Sequence, residues 1–262
     1  MVSSSPLAGI RVIESAGWNG VLAGRLLADA GADVVRRIPP GGDPLSAEPP
    51  YFGTTSNSIQ QAWYNAGKRI LELDLREATG RGRFLELIAG ADVLIEDWPI
   101  GAAEVSPAEL TAANPALVHL SVTPMGVGGP LSGWRVNDLV ANALSGSASV
   151  TGNADTPPLS GYGNQSHHTV GLYVAVCVLA ALRAARKTGA YQHVDLSAHE
   201  ALISCTEQVL MEWFFPDGVW NTAIAPRQGS LHWSNAYEVF EASDGHGVMV
   251  TAALRFADVL LP

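Results

Sequence analysis

The sequence predicts an α/β protein, with a Rossmann-like large domain built on a parallel sheet and, after it, part of a small α+β domain. Three observations carry this. Short β-type runs alternate with stretches whose apolar residues recur at helical spacing. Glycines stand where those helices would end. After residue 215 the texture changes to Gly, Pro and aromatic residues, which places the domains at 1–215 and 216–262.

The first unit is the β-type run Gly9–Glu14, the turn Gly17-Trp-Asn-Gly20 and a helix over Val21–Ala30, closed by Gly31. Ala32–Arg36 reads as the next strand, and Ile38-Pro-Pro-Gly-Gly-Asp-Pro44 cannot continue it. The pattern recurs with a strand at Arg69–Asp74, a helix at Thr79–Ala89 capped by Gly90, and a strand at Asp92–Glu96. Ser106-Pro107-Ala-Glu109 combines an N-cap serine, proline at the first helical position and glutamate in the capping-box position. The strand Leu117–Ser121 follows, then the glycine-rich Gly126–Pro130 and helical stretches near Asp138–Ser145, His167–Arg186 and Ser197–Phe215. Gln192–Leu196 is a strand before the last of these, and Tyr237–Phe240 and Gly247–Ala252 are strands of the smaller unit. Strands and helices at this spacing imply parallel pairing through right-handed crossovers, with a ligand outside the carboxyl ends of the strands.

Composition narrows the function. Of 262 residues, 15% are charged, against about 25% in an average soluble domain, which fits a chain that hides surface in a subunit interface. A formal charge of −10 and a pI near 5.0 argue against nucleic-acid binding, which needs a concentrated basic surface. Any anionic ligand must be held by a few local cations. Cys177 and Cys205 form no CxxC pair and have no histidine at ligand spacing, so no metal is expected and a reducing, cytoplasmic setting is the default. The N-terminus lacks the basic and apolar regions of a signal peptide. The longest uncharged apolar run, residues 169–182, is shorter than the roughly 20 residues of a membrane span, and reads as a buried helix.

Several motifs carry little. Gly126, Gly128 and Gly129 lack the strand-then-helix setting of a dinucleotide fingerprint, and neither a GxSxG elbow nor a Walker A sequence is present. His167-His168 has no further ligands at metal spacing, so a helix-start or polar-pocket role is preferred. Asp195 and Ser197 read as a strand end and a helix cap.

Taken together, the segments at residues 7–14, 26–35, 39–44, 65–69 and 91–96 closely resemble the family III CoA-transferases, the carnitine dehydratase/bile-acid-inducible (CaiB/BaiF) type that includes α-methylacyl-CoA racemases. The likeness continues through Asn114-Pro115, Gly126–Pro130, Asp138–Gly146, Gly171-Leu-Tyr173 and Thr188–Ser197, and more faintly at Ala236–Phe240 and Asp244-Gly245. The resemblance implies coenzyme A or an acyl-CoA as substrate, a carboxylic acid as the second substrate, and two chains threaded as interlocked rings, either a homodimer or a heteromer. CoA would lie across the strand ends, with Gly17, Trp18 and Asn19 beside its nucleotide. Asp97-Trp98 stands where the family usually has Asn-Phe, so Trp98 is either an adenine-stacking face or a core aromatic. Arg36, Arg37, Lys68, Arg69 and Arg135 are the cations available for phosphates, each weighed against a solvated surface charge. Val105 occupies a usual basic position.

The catalytic position departs from the family. There, an Asp four residues before the matched glycine attacks the thioester; counting back from Gly171 gives His167. An imidazole can act as a base or take an acyl group, but acyl-imidazole is readily hydrolysed and cannot simply replace the carboxylate. The racemase branch needs a His/Asp pair, and the matched His position is Asn137, with Asp138 retained. Family members are also usually longer, with a segment that returns to the large domain, so a truncated product or partner dependence is expected. The leading expectation is CoA transfer between an acyl-CoA and a carboxylic acid, with His167 and Asp138 as the catalytic candidates. The alternative is a non-catalytic subunit of a heteromeric CoA-transferase, and behind both stands a divergent racemase or lyase.

Overall fold

A computed structural model of the chain describes residues 5–98, 105–153, 155–206, 214 and 237–251. Two compact units are present, one from residues 1–138 and 164–201, the other from 139–163 and 202–262. This division differs from a single boundary at 215, because the chain leaves the first unit after Asp138 and returns to it at Asn164.

The first unit contains β1 (Arg11–Ser15), α1 (Val21–Asp29), β2 (Asp33–Ile38), α2 (Ile59–Asn65), β3 (Arg69–Glu72), α3 (Ala78–Ala89), β4 (Val93–Glu96), α4 (Pro107–Ala113) and β5 (Val118–Thr123). After α5 (Asp138–Leu144), which begins at its edge, α6 (Gln165–Thr188), β6 (Gln192–Ser197) and the start of α7 (Ala198–Ser204) complete it. The six strands form one sheet in the order β3-β2-β1-β4-β5-β6, every pair parallel. β4 and β5 are buried at every position, as strands covered on both faces must be. The order runs outward from β1 to β3 on one side and from β4 to β6 on the other, so the direction reverses between β1 and β4. A crevice at their carboxyl ends follows from that reversal.

The elements agree with the sequence reading, with informative exceptions. Helix α2 was not expected; its start is capped by Ser58 Oγ, which accepts the Gln61 N–H at 3.1 Å, and Tyr64 is its buried residue. The capping box on α4 is complete, with both the Ser106 and the Glu109 contact made. Ser197 Oγ accepts the Glu200 N–H, but α7 ends at Ser204 and Cys205-Thr206 form a turn; of the rest of the helix expected to Phe215, residues 207–213 and 215 lie outside the described residues.

Helix α6 is the main departure. It runs 24 residues to the left-handed Gly189, and by length and composition it is apolar enough to cross a membrane. One side packs on α1, β5 and β6 through Val170, Val174, Val178 and Leu182. Gly171 allows close approach there, since a Cβ would stand 2.7 Å from Leu22 Cβ. The opposite side exposes Leu172, Val176 and Leu179, so the helix is buried on one face only. In the second unit, β7 (Tyr237–Glu241) and β8 (Gly247–Thr251) pair antiparallel; the Ala252 end expected for β8 lies outside the described residues.

Candidate active site

The turn after β1 and the turn after β4 meet where the strand order reverses. Asp97 Oδ2 accepts the Gly17 N–H at 2.8 Å, tying one turn to the other. From the opposite direction, Arg36 Nη1 donates to the Ala16 carbonyl at 2.6 Å. The segment carrying Trp18 and Asn19 is thus fixed from both sides. Burial raises the Asp97 carboxyl to about 7, with the Gly17 N–H opposing the shift and the neighbouring Glu96 adding to it.

Helix α6 delivers its first turn to the same place. The His167 ring stacks on Trp18, centroids 5.4 Å apart with planes 22° from parallel, and its Nδ1 lies 3.3 Å from Asn19 Oδ1. Against an amide oxygen, Nδ1 must carry the proton, which leaves the lone pair on Nε2. Nε2 has no hydrogen-bond partner among the described residues and is not sealed from solvent. Burial lowers the His167 pKa, Asp138 opposes that and His168 adds to it, so the ring is neutral at pH 7. Asp138 Oδ1 accepts the Ser166 N–H at 3.0 Å, one of the orphan donors in the first turn of α6. It therefore orients the helix start that presents His167.

Tyr64 on α2 is a participant the sequence did not reveal. It meets Trp18 edge-on at 5.5 Å, and its hydroxyl lies 2.6 Å from His168 Nε2. Burial raises its pKa, so the phenol keeps its proton at neutral pH. Tyr64 immediately precedes Asn65-Ala-Gly-Lys-Arg69, a segment that drew attention for its cations and not for the aromatic before them.

The expected cations divide by burial. Arg36 is 1% exposed, forks onto Asp43 at 3.0 and 3.1 Å and also pairs with Glu14. The fully buried Lys68 ammonium binds Glu14 Oε2 at 2.7 Å and the Val21 carbonyl at 2.8 Å. Charges this deep persist only when paired, so both are built into the fold. Arg37 is buried as well and donates to the Leu73 carbonyl at 2.9 Å. Arg69 is exposed and forks onto Asp33, while Arg135 is exposed with no ion pair among the described residues. Arg135 remains open to an anionic ligand, whereas Arg69 and Asp33 begin β3 and β2 and so lie at the amino ends of the strands, on the rim opposite the Gly17–Asp97 contact.

Trp98 is a core aromatic in this structure. Its Nε1 donates to Ser15 Oγ at 3.1 Å, its ring tilts against Phe84, and its backbone N–H is held by Glu96. Glu96 Oε1 also lies 3.1 Å from His119 Nε2, whose Nδ1 takes the Tyr191 hydroxyl at 2.6 Å, so the polar groups beneath the β4 turn satisfy one another. Among the described residues no group of three or more His, Cys, Asp or Glu side chains could hold a metal ion.

A protein-family model described as CoA-transferase family III matches residues 7–260. The chain belongs to CoA-transferase family III. This family III chain is 32% identical over 258 residues to the succinyl-CoA:(R)-benzylsuccinate CoA-transferase subunit BbsE of Thauera aromatica, covering 96% of this chain and 61% of that protein. It is 34% identical over 250 residues to the succinyl-CoA:mesaconate CoA-transferase of Haloarcula hispanica, covering 89% and 61% respectively. A solved CAIB/BAIF family protein from Brucella suis superposes with a TM-score of 0.83 at 28% identity, over 93% of this chain and 65% of that one. The chain thus spans about three fifths of the length of these two relatives.

Proposed function

We propose that the chain binds an acyl-CoA across the carboxyl ends of β1 and β4 and takes part in transfer of CoA from that acyl-CoA to a carboxylic acid. The observation that carries this reading is the family match over residues 7–260. This reading is supported by the coincidence of the reversal of strand order with the turns that bring Trp18, Asn19, Asp97 and His167 together. On this reading Arg135 offers an exposed cation to the phosphates, and the thioester is read against His167. The chain works with a second copy of itself or with another family III chain, in a reducing, cytoplasmic setting.

A second reading has its own support. The matched catalytic position holds His167 instead of a carboxylate, and BbsE, among the relatives, is named as a subunit. On that reading this chain supplies CoA binding, and the attacking carboxylate belongs to another chain. Calorimetric titration of CoA and succinyl-CoA into the purified protein, followed by a transfer assay with succinyl-CoA and free dicarboxylic acids, tests both. Binding with transfer supports the first reading; binding with transfer only after a second family III chain is added supports the subunit. A folded protein that binds neither compound overturns both.

A further inference from the structure

We infer that this chain, acting alone on an acyl-CoA, hydrolyses the thioester, with the His167 imidazole as the attacking group. The inference rests on the proposed acyl-CoA site and adds a reaction to it.

The geometry singles out one atom. His167 is held by stacking on Trp18 and by its Nδ1 contact to Asn19 Oδ1, which together fix both the ring plane and the tautomer. Nε2 is left with its lone pair, without a partner among the described residues, and in reach of solvent. A neutral imidazole is the nucleophilic form, and burial keeps the ring in that form at neutral pH. No carboxylate is hydrogen-bonded to the His167 ring among the described residues; Asp138, whose charge acts on the ring, accepts the Ser166 N–H.

The chemistry follows from the atom. Nε2 adds to the thioester carbonyl, an N–C bond forms, the C–S bond breaks, and CoA leaves as the thiolate. Water then adds to the acyl-imidazole, the N–C bond breaks, and the acyl group leaves as the free carboxylic acid. One proton of the water ends on the CoA sulfur and the other on the acid, which ionises at neutral pH. The sum is acyl-CoA plus water giving acid plus CoA, with no oxidant or co-reactant. A carboxylate at this position would form an anhydride that the departing thiolate can attack, conserving the thioester. An imidazole instead gives a nitrogen acyl compound that water consumes, so hydrolysis is the outcome the residue dictates.

The test follows succinyl-CoA by loss of thioester absorbance, in the purified chain and in His167→Gln, with no acid added. The glutamine variant keeps a polar, planar side chain in the half-buried stack, and circular dichroism confirms its fold. CoA affinity is measured for both proteins by calorimetry. The expected result is hydrolysis that falls by about a hundredfold in the variant, CoA affinity retained, and a rate that rises with pH and levels below the ordinary imidazole pKa. Hydroxylamine added to the wild type should divert the acyl group to a hydroxamate. Binding without hydrolysis, or hydrolysis unchanged in His167→Gln, overturns this inference and leaves the CoA-binding site standing. Failure of the folded protein to bind CoA overturns the underlying reading and this inference with it.

Discussion

The Asp97 carboxylate holds the Gly17 N–H, yet it does so with a charge that its surroundings disfavour. Its ordinary value is 3.8 and its value in the fold is about 7, so between those two pH values the folded protein binds a proton that the unfolded chain has released. Stability therefore falls as pH rises from about 4 to about 7, and the cost is fully present above that. Asp97→Asn keeps an oxygen for the Gly17 N–H and removes the charge. The expected outcome is a variant with little gain at pH 4.5 and a clearly higher urea midpoint than wild type at pH 8. Equal midpoints at pH 8 would mean that Asp97 is ionised without cost. Gly24 gives a second prediction at this scale, because a Cβ there would stand 1.6 Å from Glu14 Oε2 and 3.0 Å from Lys68 Nζ. Gly24→Ala must displace a buried ion pair, and a loss of about 2–3 kcal/mol in urea denaturation is expected; a loss below about 0.5 kcal/mol would show that the pair shifts freely. Neither role was legible in the sequence. Asp97 was visible only as a departure from Asn, and Gly24 looked like one small residue in an apolar helix.

Among the elements, the strands and their order of connection were legible because fully buried parallel strands are written as continuous β-branched and apolar runs, such as Val93-Leu-Ile and Val12-Ile13. The roles of two charges were not legible for a physical reason. Arg36 ends one strand-like run and Lys68 lies in the separate segment 65–69, and a sequence does not state which carboxylates are close to them in space. The structure shows Glu14 from β1 and Asp43 from the loop after β2 neutralising them, so the cations join β1, β2 and the chain before β3 instead of facing outward. Removing one partner of such a network strands the others. Arg36→Ala leaves Glu14 and Asp43 with one fewer cation and releases the Ala16 carbonyl, so a loss of about 3–5 kcal/mol is expected. Arg69→Ala removes an exposed fork to Asp33 and should cost about 1 kcal/mol or less. Comparing the two by urea denaturation separates built-in from exposed cations; equal small losses would place Arg36 among the ligand-facing residues after all.

At the scale of the whole molecule, the low charged fraction and the surface of α6 describe the same property. Leu172, Val176 and Leu179 recur at intervals of four and three, which places them on one side of the helix, and all three are exposed. The sequence showed this segment as apolar but not which face would lack cover, because burial on α1, β5 and β6 is decided by the tertiary approach at Gly171. A stripe of this kind on a chain with 15% charged residues is expected to be covered by a second polypeptide. The proposed pairing of family III chains predicts a solution mass of at least twice 27.5 kDa by light scattering, and a shift towards one chain in Val176→Glu/Leu179→Glu. Both positions lie away from the Trp18–His167 stack, so the variant should keep its far-ultraviolet dichroism while it loses its partner. A single-chain mass for the unmodified protein would count against a homodimer, and recovery of the larger mass on adding a second family III chain would then assign the stripe to a heteromer. If instead the unmodified chain is recovered with lipid vesicles and the double glutamate variant is not, the exposed face of α6 is a membrane contact and the pairing argument fails.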